Sequence, residues 1–331
     1  MNTFLRGLNP AQQIGALFIV MFGVLSLVTV VALVQSLREC DRGSPAANDA
    51  HALRAREFGV LLKTSWLMST IFWVAWVLGD AVATATFAAV AFFALREFIT
   101  LSPTRRGDHR SLVLAFFVVL PIQFWLVATR RFDLFTVFIP VYVFLAIPVV
   151  SALADDPHRF LERNAKLQWG IMVCIYGMSH VPALLLLDFP GYRDKGAFLL
   201  FFLVFVVQSA MIVQHALGRR FPLRPVAPNV SLSFQWVSWI FGVATGGVIG
   251  ALLSFITPFK PGQALAMALI ACVAGSMGHL VMKALKRDRG VTSWGMRGVA
   301  VTGAAGLLDR VDALCFAAPV FFHSVRWYFD L

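Results

Sequence analysis

Charge is scarce in this sequence of 331 residues. Asp, Glu, Lys and Arg together make up 14%, and only 17 residues are acidic. Soluble domains carry about 25% charged residues. Here 59% of residues are hydrophobic, and the mean hydropathy is +0.77. That balance excludes a soluble enzyme and a disordered chain. Cysteine is nearly missing: Cys40, Cys174, Cys272 and Cys315 are the whole set, and no two have metal-ligand spacing. Three of them lie in apolar stretches and read as packing residues. The apolar stretches are continuous rather than alternating, which argues against a β-barrel.

What is present is a series of membrane-length apolar runs. They fall at 14–34, 65–79, 81–101, 111–129, 134–153, 167–187, 196–217, 236–257, 264–282 and 311–328. The expectation is an all-α polytopic integral membrane protein with about ten transmembrane helices. The first run is too long for a signal peptide and has no clear cleavage site. A polar stretch, 35–63, follows it, and 50–62 has the composition of a surface helix. This divides the chain into 1–64, an anchor with a polar segment, and 65–331, the main membrane domain. No internal repeat suggests a two-fold transporter.

The net charge is +11. In a soluble protein that would raise nucleic acid as a partner. In a membrane protein it reads first as topology and as attraction to anionic headgroups, so no nucleic acid partner is expected. Alternate loops hold about 20 and about 7 basic residues. The rich set includes Arg105, Arg106, Arg159, Arg163, Arg219, Arg220, Lys283, Lys286, Arg287 and Arg310, and is assigned to the cytoplasm. Both termini then lie outside.

Few spans hold an ionisable residue at depth, which argues against an ion pathway. Arg96 and Glu97 sit near the end of their span and read as a snorkelling or local pair. His180, beside Pro182, reads as a hydrogen-bonded packing residue. Gly242, Gly246 and Gly250 recur every four residues and read as a close helix contact. A phosphate loop would need a strand and a Lys-Ser/Thr there, and both are missing.

The polar residues gather in 208–235 and 278–312. In the second, His279, Lys283, Lys286 and Arg287 have spacings that stack them on one helical face. Asp309 and Asp312 are three apart, so a helix puts both carboxylates on one side. Two carboxylates and a basic face suit a Mg²⁺–phosphate ligand. A positive-inside loop with ordinary ion pairs fits the same spacing.

The residues of this segment carry a resemblance. Lys286-Arg287-Asp288-Arg289-Gly290-Val291, Trp294-Gly295, Gly303 and Gly306-Leu307-Leu308-Asp309-Arg310-Val311-Asp312 resemble the signature of CdsA-type phosphatidate cytidylyltransferases. That signature reads roughly S-x-x-K-R-x-x-G-x-K-D-x-G, then P-G-H-G-G-x-x-D-R-x-D. Upstream, Gln208, Gln214, Gly218-Arg219, Phe221, Val226-Ala227-Pro228 and Ser231 match a second familial stretch. Leu95-Arg96-Glu97-Phe98 and Phe316–His323 also look familial. The resemblance covers the chain from about Trp66 onward. It implies that CTP and phosphatidate form CDP-diacylglycerol and pyrophosphate, in a bacterial inner membrane, at a site facing the cytoplasm. It implies Asp309, Asp312 and Lys286 as catalytic residues, with Mg²⁺ on Asp309 and Asp312. Arg287, Arg310, Ser231, Lys283 and Arg219 would bind substrate, and a homodimer is implied.

The chain departs from the pattern at several positions. Met211 stands for an Asp, Phe234 for a Lys and Val237 for a Glu. His279 stands for an Asp, Lys283 for a Ser, and Thr292-Ser293 for Lys-Asp. Thr302 and Ala304-Ala305 replace a Pro and a His-Gly. Met offers no oxygen to a hard cation. The alternative is therefore a catalytically silent relative that binds phosphatidate or another anionic phospholipid, or supports a partner lipid enzyme. A transporter built on the same fold ranks last, because the spans lack coupling groups.

Overall fold

The computed structural model describes residues 80–331 other than 103, 191, 194, 222–223, 232–233, 292 and 295–305, and scattered positions between 12 and 79; of 216, 219 and 220 it describes the backbone alone. The chain forms two compact units, Met1–Gly79 and Asp80–Leu331.

In the first unit the described positions between 12 and 30, and from 66 to 77, are helical. The Trp66 indole N–H donates to the Thr29 hydroxyl at 3.1 Å. The Phe22 ring lies 5.6 Å from Trp66 and 6.4 Å from Trp73. The surface helix expected at 50–62, and Cys40, lie outside the described residues.

The second unit is helical throughout its described residues, apart from turns and one isolated bridge between Ala227 and Ser231. Helix α1 is Asp80–Thr100, α2 is Arg106–Ala128 and α3 is Phe132–Ala152. Helix α4 joins Phe160–Gly170, Ile171–Gly177 and Met178–Leu185. Then come α5, Gly196–Arg220; α6, Trp236–Leu252; α7, Pro261–Asp288; and α8, Leu308–Phe329. The boundaries follow local chemistry. Gly79, at φ +90°, turns the chain into α1, where Asp80 complements the helix dipole. Pro261 starts α7, with the Gln263 side chain accepting the Lys260 N–H at 2.9 Å, as in a capping box. Single π turns at Ala115–Val119, Phe138–Val143 and Ile171–Gly177 lie close to Pro121, Pro140 and Pro182. A proline lacks the N–H that continues the ladder, so the helix locally widens.

These eight helices match eight of the expected spans. Six of them are long and apolar enough to cross a membrane: α1, α2, α3, α5, α6 with its extension to Ile256, and α7. The expected count of ten is thus not reached among the described residues. The first turns of α4 hold Glu162, Arg163 and Lys166, and α8 holds Asp309, Arg310, Asp312, His323 and Arg326, which lowers their apolar character.

Packing of α5 to α8 rests on small residues, as expected. A Cβ on Gly242 would lie 2.6 Å from the Ala210 carbonyl oxygen. On Gly246 it would lie 2.5 Å from Cys272 Sγ, and on Gly250 2.3 Å from the Ala268 methyl. Cys174, Cys272 and Cys315 are buried free thiols. His180 is fully buried, with Nδ1 2.7 Å from the Tyr176 carbonyl, a packing residue as read from the sequence.

Candidate functional site

The C-terminal turns of α7 and the first turn of α8 build the site. Along α7, His279, Lys283 and Lys286 are four and three residues apart and share a face. The helix then ends at Gly290, whose φ is +66°. The Gly290 N–H donates to the Arg287 carbonyl at 3.0 Å, and the Val291 N–H to the Lys286 carbonyl at 3.0 Å. This pair of bonds is a Schellman ending, which needs the left-handed conformation that glycine adopts freely.

Beyond that turn Ser293 and Trp294 meet α8 at Asp309. Lys286 Nζ lies 2.6 Å from Asp309 Oδ1. Asp309 Oδ2 accepts the Ser293 hydroxyl at 2.6 Å, the Trp294 N–H at 2.9 Å and the Gly306 N–H at 3.2 Å. One turn on, Asp312 Oδ2 lies 2.7 Å from His279 Nδ1, and Oδ1 accepts the Ala313 N–H at 2.6 Å. From the segment before α6, Ser231 Oγ accepts from Lys283 Nζ at 3.5 Å. Lys286 and Asp312 are buried. Arg310 has a buried Nε with no hydrogen-bond partner among the described residues. Burial pushes its guanidinium below the ordinary arginine range, while Asp309 and Asp312 pull it back up.

Six of the eight residues expected from the sequence therefore come together: Ser231, Lys283, Lys286, Asp309, Arg310 and Asp312. Arg287 is exposed, with no ion pair to the others among the described residues. The side chain of Arg219 lies outside the described residues. Three further participants stand outside those eight, and of them only His279 was placed on the site's helical face by its spacing. His279 binds Asp312, Ser293 binds Asp309, and Glu97 binds the start of α8. The signal for Ser293 was its place at a familial acid position. The Arg96–Glu97 reading is corrected: Arg96 is exposed, while Glu97 is fully buried and accepts the Leu307 and Leu308 N–H groups at 2.9 Å each.

The fit to Mg²⁺ is poor in this arrangement. Mg²⁺ takes octahedral oxygen ligands from carboxylates and water. Both carboxylates here already meet a side-chain donor of the chain and backbone amides. Among the described residues no three His, Cys, Asp or Glu side chains gather as a metal site. Of the residues replacing familial side chains, Phe234 is buried against Trp236 and Trp239. Val237 is 48% exposed.

Comparison with known proteins supplies the remaining evidence. The profile described as "Cytidylyltransferase family" matches residues 61–328. An Escherichia coli K12 protein, "Uncharacterized protein YnbB", is 33% identical over 242 residues, covering 73% of this chain and 78% of its own. A phosphatidate cytidylyltransferase of Rickettsia felis is 25% identical over 162 residues, 46% of this chain and 70% of its own. Another from Haemophilus influenzae is 31% identical over 181 residues, 52% and 61% respectively.

Proposed function

The chain belongs to the cytidylyltransferase family, and we propose that it transfers a cytidylyl group from CTP to phosphatidate at the α7–α8 site. The observation that carries this reading is the convergence of Lys283, Lys286 and Arg310 around two carboxylates, with one guanidinium nitrogen buried and without a hydrogen-bond partner among the described residues. Partly buried cations of this kind suit the crowded oxyanions of phosphoryl chemistry.

In the reaction a phosphate oxygen of phosphatidate attacks the α-phosphorus of CTP. The new P–O bond forms as the α–β anhydride bond breaks, and pyrophosphate leaves with the electron pair. The protein needs no covalent intermediate and contributes positioning and charge. Arg310 offers its guanidinium, and Lys283 a second cation, to the phosphates. Asp309 holds Lys286, Ser293 and Trp294 in place. The chain's own cations are the ones that face the phosphates in this reading. The wealth of basic residues at this end supports a site on the cytoplasmic side of a bacterial inner membrane. The homodimer implied by the family resemblance belongs to the same reading.

A second reading is favoured by one observation: both carboxylates are already engaged by the chain's own side chains and amides. A silent relative would hold an anionic phospholipid headgroup on the same cations without turnover.

The deciding assay uses purified protein in mixed micelles, with labelled CTP, phosphatidate and Mg²⁺, beside Asp309→Asn. CDP-diacylglycerol made by the wild type and lost in the variant supports the enzyme. No product, while a control enzyme works in the same micelles, rejects transfer between these substrates. Retention on phosphatidate nanodiscs over phosphatidylcholine ones would then support the silent binder.

A further inference from the structure

Glu97 is a carboxylate with no exposed surface, 210 and 211 residues away from its two partners in sequence. Its two oxygens divide between two amides, Oε1 with Leu307 and Oε2 with Leu308, each at 2.9 Å. These amides belong to the first turn of a helix, where N–H groups have no intrahelical acceptor. A carboxylate there also meets the positive end of the helix dipole. Among the described residues no Lys, Arg or His forms an ion pair with Glu97. The α8 amides are what offset its burial, and burying a charge is expensive without such compensation.

The next residue makes a second link to the site. The Phe98 ring lies 5.5 Å from the Trp294 ring, and the Trp294 N–H donates to Asp309. Consecutive residues of α1 thus touch both segments that converge on Asp309. An apolar side chain would fill the space with less desolvation. What the carboxylate adds is direction: two acceptors fix both the height and the rotation of the first turn of α8. Slipping α8 by one residue would rotate it by about 100° and carry Asp309 away from Lys286.

We infer that Glu97 is a positioning residue, which sets Asp309, Arg310 and Asp312 on α8 in register with His279 and Lys286 on α7. The catalytic arm of this inference rests on the function proposed above; the structural arm does not.

The test is Glu97→Gln in the full chain, an isostere that keeps one acceptor and turns an N–H₂ toward the other amide. Two readouts are needed: hydrogen exchange resolved to the peptide spanning 306–312, and kcat and KM in mixed micelles. Exchange at 307–308 should rise about tenfold, while α5 and α6 keep wild-type protection. The kcat should fall by roughly ten- to a hundredfold, with both KM values within about threefold of wild type. Wild-type exchange and kcat in the variant would overturn the inference and make Glu97 a space filler. A uniform rise in exchange across the bundle would overturn it too, making Glu97 a general stability residue. If the wild type itself shows no turnover, the proposed function fails, and exchange at 307–308 still decides the role of Glu97. Should the Gln variant not fold, Glu97→Asp, with both oxygens on a shorter stem, is expected to loosen 307–308 less, with the same results overturning the inference.

Discussion

Within the Asp80–Leu331 unit the ion pairs of the α7–α8 site and those at the far end sit in opposite surroundings. At the site end, Lys286 and Asp309 pair with side chains only 11% and 13% exposed, and Asp312 lies under His279 at 3%. At the other end, Arg130 bridges Asp80 at 3.3 Å and Asp188 at 2.5 Å, with 46% of its own side chain exposed. There too Arg326 reaches Asp133 at 2.8 Å, and that Asp133 is 96% exposed. Water screens the second group, so each pair adds little. The first group has given up water for specific partners, so losing one partner strands the other. Ordinary loop ties hold the far end; the α7–α8 pairs are a prearranged set of charges.

The sharpest way to break this comparison is to remove one partner at the site end. Asp309→Ala leaves Lys286 buried and removes the acceptor of Ser293, Trp294 and Gly306. Denaturation in micelles should show a loss of about 3–5 kcal/mol. Lys286→Met should cost a similar amount, and the Asp309→Ala/Lys286→Met double variant should lose less than the two singles combined. Additive losses would mean that the pair is not coupled.

Gly278→Ala ranks second. Its new methyl would lie 2.2 Å from the Phe316 ring, where α7 meets α8. A loss of about 1–3 kcal/mol is expected. Gly262→Ala, with nothing within 4 Å of the added carbon, serves as the neutral control in the same melts.

Third is the opposite end. Arg130→Ala, although it breaks two ion pairs, should cost no more than about 1 kcal/mol. A loss equal to that of Asp309→Ala would erase the distinction between the two ends. The smallest expected effect concerns metal. Mn²⁺ titrated into nucleotide-free protein should keep its free-ion electron paramagnetic resonance signal, because neither carboxylate is vacant. Stoichiometric loss of that signal would show that His279 and Lys286 yield to a divalent cation.

Much of the fold was legible because it depends on local composition. The lengths of the apolar runs set the helices. The spacing of Gly242, Gly246 and Gly250 gave the close approach of α6. The burial of His180 and three cysteines followed from their apolar neighbours. The site was legible in part: the spacings of Lys283 and Lys286, and of Asp309 and Asp312, gave two faces that do meet. Ser231 and Arg310 joined them as the resemblance implied. Arg287 did not, because its position on α7 turns it to solvent.

The sequence alone determined a helical, positively charged membrane protein with its basic residues at one end, since hydropathy and charge are counted along the chain. Only the tertiary structure decided who neutralises whom. Asp309 could have faced a metal ion, and it faces Lys286 and Ser293. Glu97 could have paired with Arg96 beside it, and it reaches α8 instead. A buried carboxylate takes whichever donors the packing leaves unpaired, and the free amides of α8 arrive from 210 residues away. Periodicity within α1 carries no trace of them.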